Sequence, residues 1–92
     1  MQKQKHFLIY KITNLINNKI YIGQHVTTNI DDDYMGSGDH IKNAIKKYGI
    51  ENFHIELIEE TDSPNEREIY WIKEKNSYSN GYNKLKHMKR TL

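Results

Sequence analysis

The sequence predicts a mixed α/β domain of the α+β class, in which helices flank a small three-stranded antiparallel sheet. Two short runs of strand-forming residues lie on either side of an asparagine-rich turn, and a third run, residues 53–59, alternates apolar and polar side chains. Segments with helical patterning come before and after that third run. The order strand, strand, helix, strand, helix favours a small sheet that buries its apolar surface against helices.

The first two strands are predicted to form a hairpin. Residues 6–13 and 19–23 are rich in the β-branched and aromatic residues that favour strands. Asn17 and Asn18 lie between them, and asparagine tolerates the positive backbone angles that chain reversals need. The segment that follows, QHVTTNIDDDYMGSGDH, is polar and contains two glycines, and we expect it to be a loop.

A helix and the third strand come next. Apolar residues recur at the spacing of one helical face, and Gly49 is a natural C-terminal stop. Alternation in FHIELIE predicts a half-buried strand with one apolar face. The helical positions are Ile41, Ala44, Ile45 and Tyr48, and those of the strand are Phe53, Ile55 and Leu57.

The last predicted helix has a clear start. Ser63 can cap it, Pro64 suits the first helical position, and Glu66 completes a capping box three residues after the serine. The helix should run to about Lys75, where the turn-forming residues NSYSNG begin.

Composition indicates one small domain over residues 1–92, since a chain this short has no room for a second core. The net charge is only +2, so any attraction to nucleic acid must come from local lysine clusters. Cysteine is absent, which excludes disulfides and thiolate metal sites. The polar N-terminus does not resemble a signal peptide and no segment reaches membrane-spanning length, so we expect an intracellular protein.

Glu68 is the most informative single residue. Helical geometry places it between Ile72 and Trp71, in the middle of the apolar arc of the last helix. A carboxylate in that position costs several kcal/mol unless it is paired, protonated or bound to a metal. A buried ion pair with a lysine, or a helix rotated from this orientation, explains the pattern as well as a metal does.

Tyr10 and Tyr21 lie on the two predicted strands of the hairpin. Tyrosines on strands commonly fill the core with the hydroxyl at its edge, and for an arbitrary hairpin this is the favoured interpretation. A role as general base makes a further demand. A free phenol has a pKa of about 10, so it needs nearby positive charge to lose its proton at neutral pH.

Four segments of the chain together resemble the GIY-YIG nuclease family: LIY at residues 8–10, YIG at 21–23, EREIYWI at 66–72 and NGYN at 80–83. The resemblance covers nearly the whole chain and is similar to the catalytic domains of phage homing endonucleases. It implies a three-stranded antiparallel sheet with flanking helices. It also implies metal-dependent hydrolysis of DNA phosphodiester bonds, leaving a 3′ hydroxyl and a 5′ phosphate.

The same resemblance implies the roles of the site residues. Glu68 would bind Mg²⁺, for which Mn²⁺ could substitute. Tyr10 would take the proton from the attacking water, and Tyr21 would hold that water or a phosphate oxygen. Asn83, which closes NGYN, would support the site by hydrogen bonding, although NGYN in isolation reads as a turn.

Two departures from the family pattern change these expectations. Leu8 replaces the first glycine of the family name, at a position with no evident chemical demand. No arginine follows the YIG segment where the family often has a catalytic one, so His25 is the best substitute as the cation that offsets phosphate charge. Further along, His40, Lys42 and Lys46 are weaker candidates for phosphate contacts.

Neither the run of aspartates nor the Gly-Ser-Gly segment is assigned a catalytic or ligand-binding role. Residues 31–33 are three consecutive aspartates, whose side chains diverge and make a poor metal cage, so we interpret them as a solvated loop. The Gly-Ser-Gly segment at 36–38 lacks the context of a phosphate-binding loop, and flexibility is the simpler interpretation.

Two alternative functions remain open. One is a catalytically inactive nucleic-acid-binding or regulatory module on the same scaffold, which the missing arginine favours and the intact tyrosines and Glu68 oppose. The other is a structural domain with core tyrosines, in which Glu68→Ala would be neutral or stabilising.

Overall fold

The computed structural model describes residues 4–32 and 34–83. Its elements are β1 (His6–Asn14), β2 (Ile20–Thr27), α1 (Asp39–Tyr48), a 3₁₀ turn (Ile50–Asn52), β3 (Phe53–Glu60), α2 (Pro64–Lys75) and α3 (Ser77–Asn80). The sheet is antiparallel with the order β2-β1-β3, so the first strand is central. This confirms the predicted three-stranded sheet with flanking helices.

Helices cover both faces of the sheet. On one face, Ile41 and Ala44 of α1 pack with Ile12 and Tyr21. On the other, Ile72 of α2 packs with Ile9 and Ile22. Adjacent strand residues point to opposite faces, so each strand contributes to both clusters. Because β1 is covered on both sides, Leu8, Ile9 and Ile12 have no exposed surface.

The hairpin is held by an asparagine at its base. Asn14 is fully buried, its Oδ1 accepts the Ile16 amide at 2.9 Å, and its Nδ2 donates to the Tyr82 hydroxyl at 3.0 Å. Asn18 has a φ of 65°, the left-handed conformation expected of an asparagine in this turn. The reversal predicted at Asn17 and Asn18 is therefore confirmed, and it is tied to the C-terminal part of the domain.

Several local predictions need correction. The second strand continues to Thr27, through residues expected to lie in a loop, because Gln24 and His25 still pair with Ile9 and Leu8. The capping box at α2 is wrong: the Ser63 side chain makes no capping hydrogen bond, although its carbonyl accepts the Arg67 amide at 3.0 Å.

Two further differences concern the ends of elements. Part of the predicted NSYSNG turn forms the short helix α3. In β3, Leu57 is 41% exposed, whereas Phe53 is buried as predicted. A β-bulge causes the change, because Ile9 pairs with Glu59 while Tyr10 pairs with Leu57. The residue skipped, Ile58, packs against the α2 side of the sheet.

In the part of the chain that the structure describes, no helix has the length and hydropathy to cross a bilayer.

Candidate active site

The two motif tyrosines lie on the same face of the sheet. Tyr10 pairs with Gly23 across the hairpin, and Tyr21 pairs with Ile12, two residues closer to the turn on each strand. Both side chains are at least nine-tenths buried. The turn length thus brings the two phenols to one surface, which the sequence alone did not establish.

Gly23 is required by the rings above it. A Cβ at this position would lie 2.5 Å from the hydroxyl oxygen of Tyr34 and 2.6 Å from Cε2 of Tyr21. Gly38 plays a similar part at the start of α1, where a Cβ would lie 3.1 Å from Cε1 of Tyr21. The segment 36–38 is therefore packed against the site, and flexibility is the wrong explanation for its glycines.

Tyr34 is the residue that sequence reasoning missed. Its ring stacks on His25 with a centroid distance of 4.3 Å and lies 4.8 Å from the Tyr10 ring. Burial raises the pKa of Tyr34 and the neighbouring Tyr21 phenol raises it further, so Tyr34 stays protonated. Its hydroxyl forms no hydrogen bond of regular geometry with the described residues. A lone aromatic in a polar loop was the available signal.

His25 is paired with Asp32. The Nε2 atom of His25 lies 2.8 Å from Oδ2 of Asp32, and the hydrogen bond to His25 lowers the pKa of this carboxyl. The interpretation of the acidic run as a solvated loop is therefore wrong for Asp32. Asp31 is exposed, as predicted, and residue 33 lies outside the described residues.

The surroundings of Tyr10 disfavour its anionic form. Burial raises the pKa of Tyr10, and the carboxylates of Asp32 and Asp31 raise it further. The hydroxyl donates to the Ile30 carbonyl at 3.5 Å, and the His25 ring centroid lies 6.2 Å from that of Tyr10. A base at this position needs additional positive charge, which His25 is close enough to supply when it is protonated.

Glu68 is buried at the outer edge of β2. Its Oε2 accepts the backbone amide of Gln24 at 3.2 Å, and its Oε1 accepts the Gln24 side-chain amide at 3.1 Å. The Gln24 side-chain amide also donates to Asn65 Oδ1 at 2.8 Å. The prediction that Glu68 faces the apolar side of its helix is confirmed, since it is 6% exposed beside the fully buried Ile72.

The chemistry around Glu68 suits a hard cation. Its negative charge contributes to the raised pKa of Tyr34, so the carboxylate is close to the ring cluster. Residues 4–32 and 34–83 contain no group of three or more histidine, cysteine or acidic side chains that could hold a metal. A single carboxylate with water as the remaining ligands is an arrangement that Mg²⁺ accepts.

Asn83 closes the same strand edge. Its Oδ1 accepts the Ile22 amide at 2.7 Å and the Ser77 hydroxyl at 2.6 Å, and its Nδ2 donates to the Ile22 carbonyl at 2.8 Å. The amide group thus pairs with Ile22 as another strand would. Asn83 and Glu68 bind successive outward-facing peptide groups of β2.

The remaining predicted residues lie apart from the rings. His40, Lys42 and Lys46 are exposed on α1, and the helix begins beside Tyr21 through Gly38. The structure brings together Tyr10, Tyr21, His25, Glu68 and Asn83 around β1 and β2, and it adds Gln24, Asp32, Tyr34 and Ser77.

Comparisons with known proteins agree with this geometry. Residues 6–83 match the model of the GIY-YIG catalytic domain. The segC protein of Enterobacteria phage T4 is 60% identical over 58 residues, which are 63% of this chain and 29% of segC. Endonuclease segA of the same phage is 47% identical over 57 residues, 62% of this chain and 26% of segA. The chain therefore spans less than a third of either relative.

A solved structure is also similar. The catalytic domain of intron endonuclease I-TevI, determined as a glutamate-to-alanine mutant, superposes with a TM-score of 0.64 and 30% sequence identity. The match covers 85% of this chain and 92% of that one.

Proposed function

The chain belongs to the GIY-YIG family of endonucleases, and from that premise we propose that it hydrolyses phosphodiester bonds of DNA with a bound Mg²⁺ ion. The observation that carries the proposal is the position of Glu68. A buried carboxylate is held against the edge of the strand that presents Tyr21 and Gly23. Such a group is costly to bury and is retained most readily where it does chemistry.

Glu68 is the residue that would hold the metal. The Gln24 amides orient both of its oxygens, so the carboxylate is positioned before a cation arrives. When bound, Mg²⁺ stabilises negative charge on the phosphate and on the leaving oxygen. Mn²⁺ prefers similar oxygen ligands and is expected to substitute.

The tyrosine hydroxyls have separate roles in the reaction. After its own proton has been released to solvent, the Tyr10 phenolate takes the proton from the attacking water, helped by His25 when that ring is protonated, and Tyr21 holds that water or a phosphate oxygen. Tyr34, which stays protonated, can donate a hydrogen bond from its hydroxyl, which lies beside Gly23 and Tyr21. Asp32 fixes the orientation of the His25 ring, which replaces the family's arginine as the nearby cation.

One observation favours a rival function. The pKa of Tyr10 is raised, so the buried phenol is a poor base without added positive charge. A chain that could not supply this charge would bind DNA without cutting it. Measuring both the nicking and the binding of plasmid DNA distinguishes the two functions.

Supercoiled plasmid is incubated with the protein in Mg²⁺ and, separately, in EDTA. We expect nicking in Mg²⁺ alone, and we expect Glu68→Ala and Tyr10→Phe to abolish it. Glu66→Ala is the matched control, because this exposed glutamate lies two residues from Glu68 on the same helix. Resealing of the nick by DNA ligase would show the 5′ phosphate and 3′ hydroxyl ends.

DNA binding is measured on the same samples by gel shift. A shifted plasmid that stays uncut at every Mg²⁺ concentration would support the binding module. Nicking that survives Glu68→Ala would refute the assignment of the metal site.

A further inference from the structure

A groove of about 440 Å³ lies between the β1–β2 turn, α1 and the segment after α3. Aspartate and glutamate are absent from its described lining, although the chain contains twelve acidic residues. Five of the nine lining residues have lysine, imidazole or amide side chains: Asn17, Lys19, His40, Asn43 and Lys47. This local charge is unlike the near-neutral average of the chain and suits a polyanion.

Regular structure fixes the positions of these groups. His40, Asn43 and Lys47 lie three and four residues apart on one stripe of α1. The stripe spans about 10 Å, which is roughly the rise of three nucleotides of one DNA strand. Lys19 faces it from the hairpin, where its backbone amide donates to Asn17 Oδ1 at 2.9 Å. The cations therefore line both sides of the groove.

The groove lies beside the part of the candidate active site that holds Tyr21. Gly38, the residue before the helix that carries Lys47, lies against the ring of Tyr21. On the opposite side, the Tyr82 amide donates to the Ile20 carbonyl at 2.8 Å, one residue before Tyr21. A DNA strand bound in the groove would therefore pass next to Tyr21.

We propose that this groove binds the sugar–phosphate backbone of one DNA strand, at phosphates next to the bond that is cut. The proposal rests on the proposed function and names a substrate contact for the same site. It assigns the contacts to Lys19 and Lys47, with His40, in place of Lys42 and Lys46. Those two lysines are also exposed on α1, but they lie on another stripe and do not line the groove.

Two double variants compare these assignments with equal loss of charge. Lys19→Gln with Lys47→Gln removes two groove cations, and Lys42→Gln with Lys46→Gln removes two from the other stripe. Binding to a fluorescent DNA duplex is measured by anisotropy in EDTA, between 50 and 200 mM salt. For the groove variant, we expect about 10- to 100-fold weaker binding at low salt and a salt slope smaller by about two.

The second double variant should change the slope by less than half as much. Equal effects of the two double variants, or a larger effect of the second, would overturn the groove while leaving the nuclease proposal intact. A wild-type protein that neither binds nor nicks DNA would instead refute the proposed function. Thermal melting of both double variants checks that they fold, which is expected because all four lysines are exposed.

Discussion

The two sides of the candidate site are held by different kinds of contact. On the outer edge of β2, Glu68 and Asn83 bind peptide groups of Gln24 and Ile22. On the sheet surface, His25 and Tyr34 are held by ring stacking and by one carboxylate from a loop. The first side depends on the backbone of a strand, and the second depends on individual side chains.

This difference predicts which side chains contribute most to folding stability and which mainly affect the chemistry of the site. Side chains that satisfy buried peptide groups are costly to remove, because the groups they leave are unsatisfied. Rings and carboxylates supplied by loops can change with less effect on the fold, since loops contribute less to the core. We therefore expect edge variants to change folding more than ring variants do, whereas chemistry depends on the rings and, at the edge, on Glu68.

Asn83→Ala should have the largest effect on the free energy of unfolding. It removes the partners of the Ile22 amide, the Ile22 carbonyl and the Ser77 hydroxyl, all in the domain interior. At about 1 kcal/mol or more for each buried group, the loss should be about 3 kcal/mol. Urea unfolding followed by circular dichroism measures it.

Ser77→Ala is the control, because it removes one of these hydrogen bonds and keeps the pairing of Asn83 with Ile22. Its cost should be about 1 kcal/mol. If Asn83→Ala cost no more than the serine variant, the edge would not be the more strongly determined side.

The regular elements were predictable because their signals are local. The alternation in β3, the apolar stripe of α1 and the proline at the start of α2 each gave the correct element. The end of β2 was not predictable, because Gln24 and His25 are polar residues that belong to the strand only through pairing with Ile9 and Leu8 of β1. Cross-strand pairing leaves no periodic signal of its own.

The same holds for the site. The burial of Glu68 could be predicted from the helical period, whereas Tyr10, Tyr21 and Asn83 became candidates only through the resemblance of their motifs to the GIY-YIG family. Tyr34 and Asp32 could not be predicted, because they lie in a loop whose path is set by contacts with His25 and Tyr10. The acidic run looked solvated because sequence does not show which of its side chains turns inward.

Tyr34→Phe tests the ring side with a smaller expected effect. The change keeps the stack on His25 and removes a buried hydroxyl that lacks a regular hydrogen bond. We expect nicking about 10- to 100-fold slower from loss of one donor in the site, with an unfolding free energy that is unchanged or higher. Plasmid nicking rates and thermal melting measure the two quantities.

Tyr78→Phe removes a hydroxyl from an exposed tyrosine on α3 and should alter neither quantity. A stability loss in Tyr34→Phe without any change in nicking would show that the hydroxyl is structural.

Asp32→Asn should have the smallest effect, and it should depend on pH. Pairing with His25 lowers the pKa of Asp32 in the folded state, so its ionised form stabilises the fold above the ordinary carboxyl pKa of about 4. That contribution is lost as the pH falls through the lower folded-state value. Wild type should therefore be slightly more stable than the variant at pH 6, and the difference should shrink as the pH falls below about 4.

The effect on stability is small because solvent screens a side chain that is one-third exposed. Asp31→Asn removes the same charge from an exposed neighbour. It should leave the fall of the melting temperature at acidic pH as it is in the wild type. Nicking should respond more than melting does, because Asp32 orients the His25 ring beside Tyr10. A variant that melted differently from wild type by the same amount at pH 3 and pH 6 would show that packing, and not the ion pair, holds His25 in place.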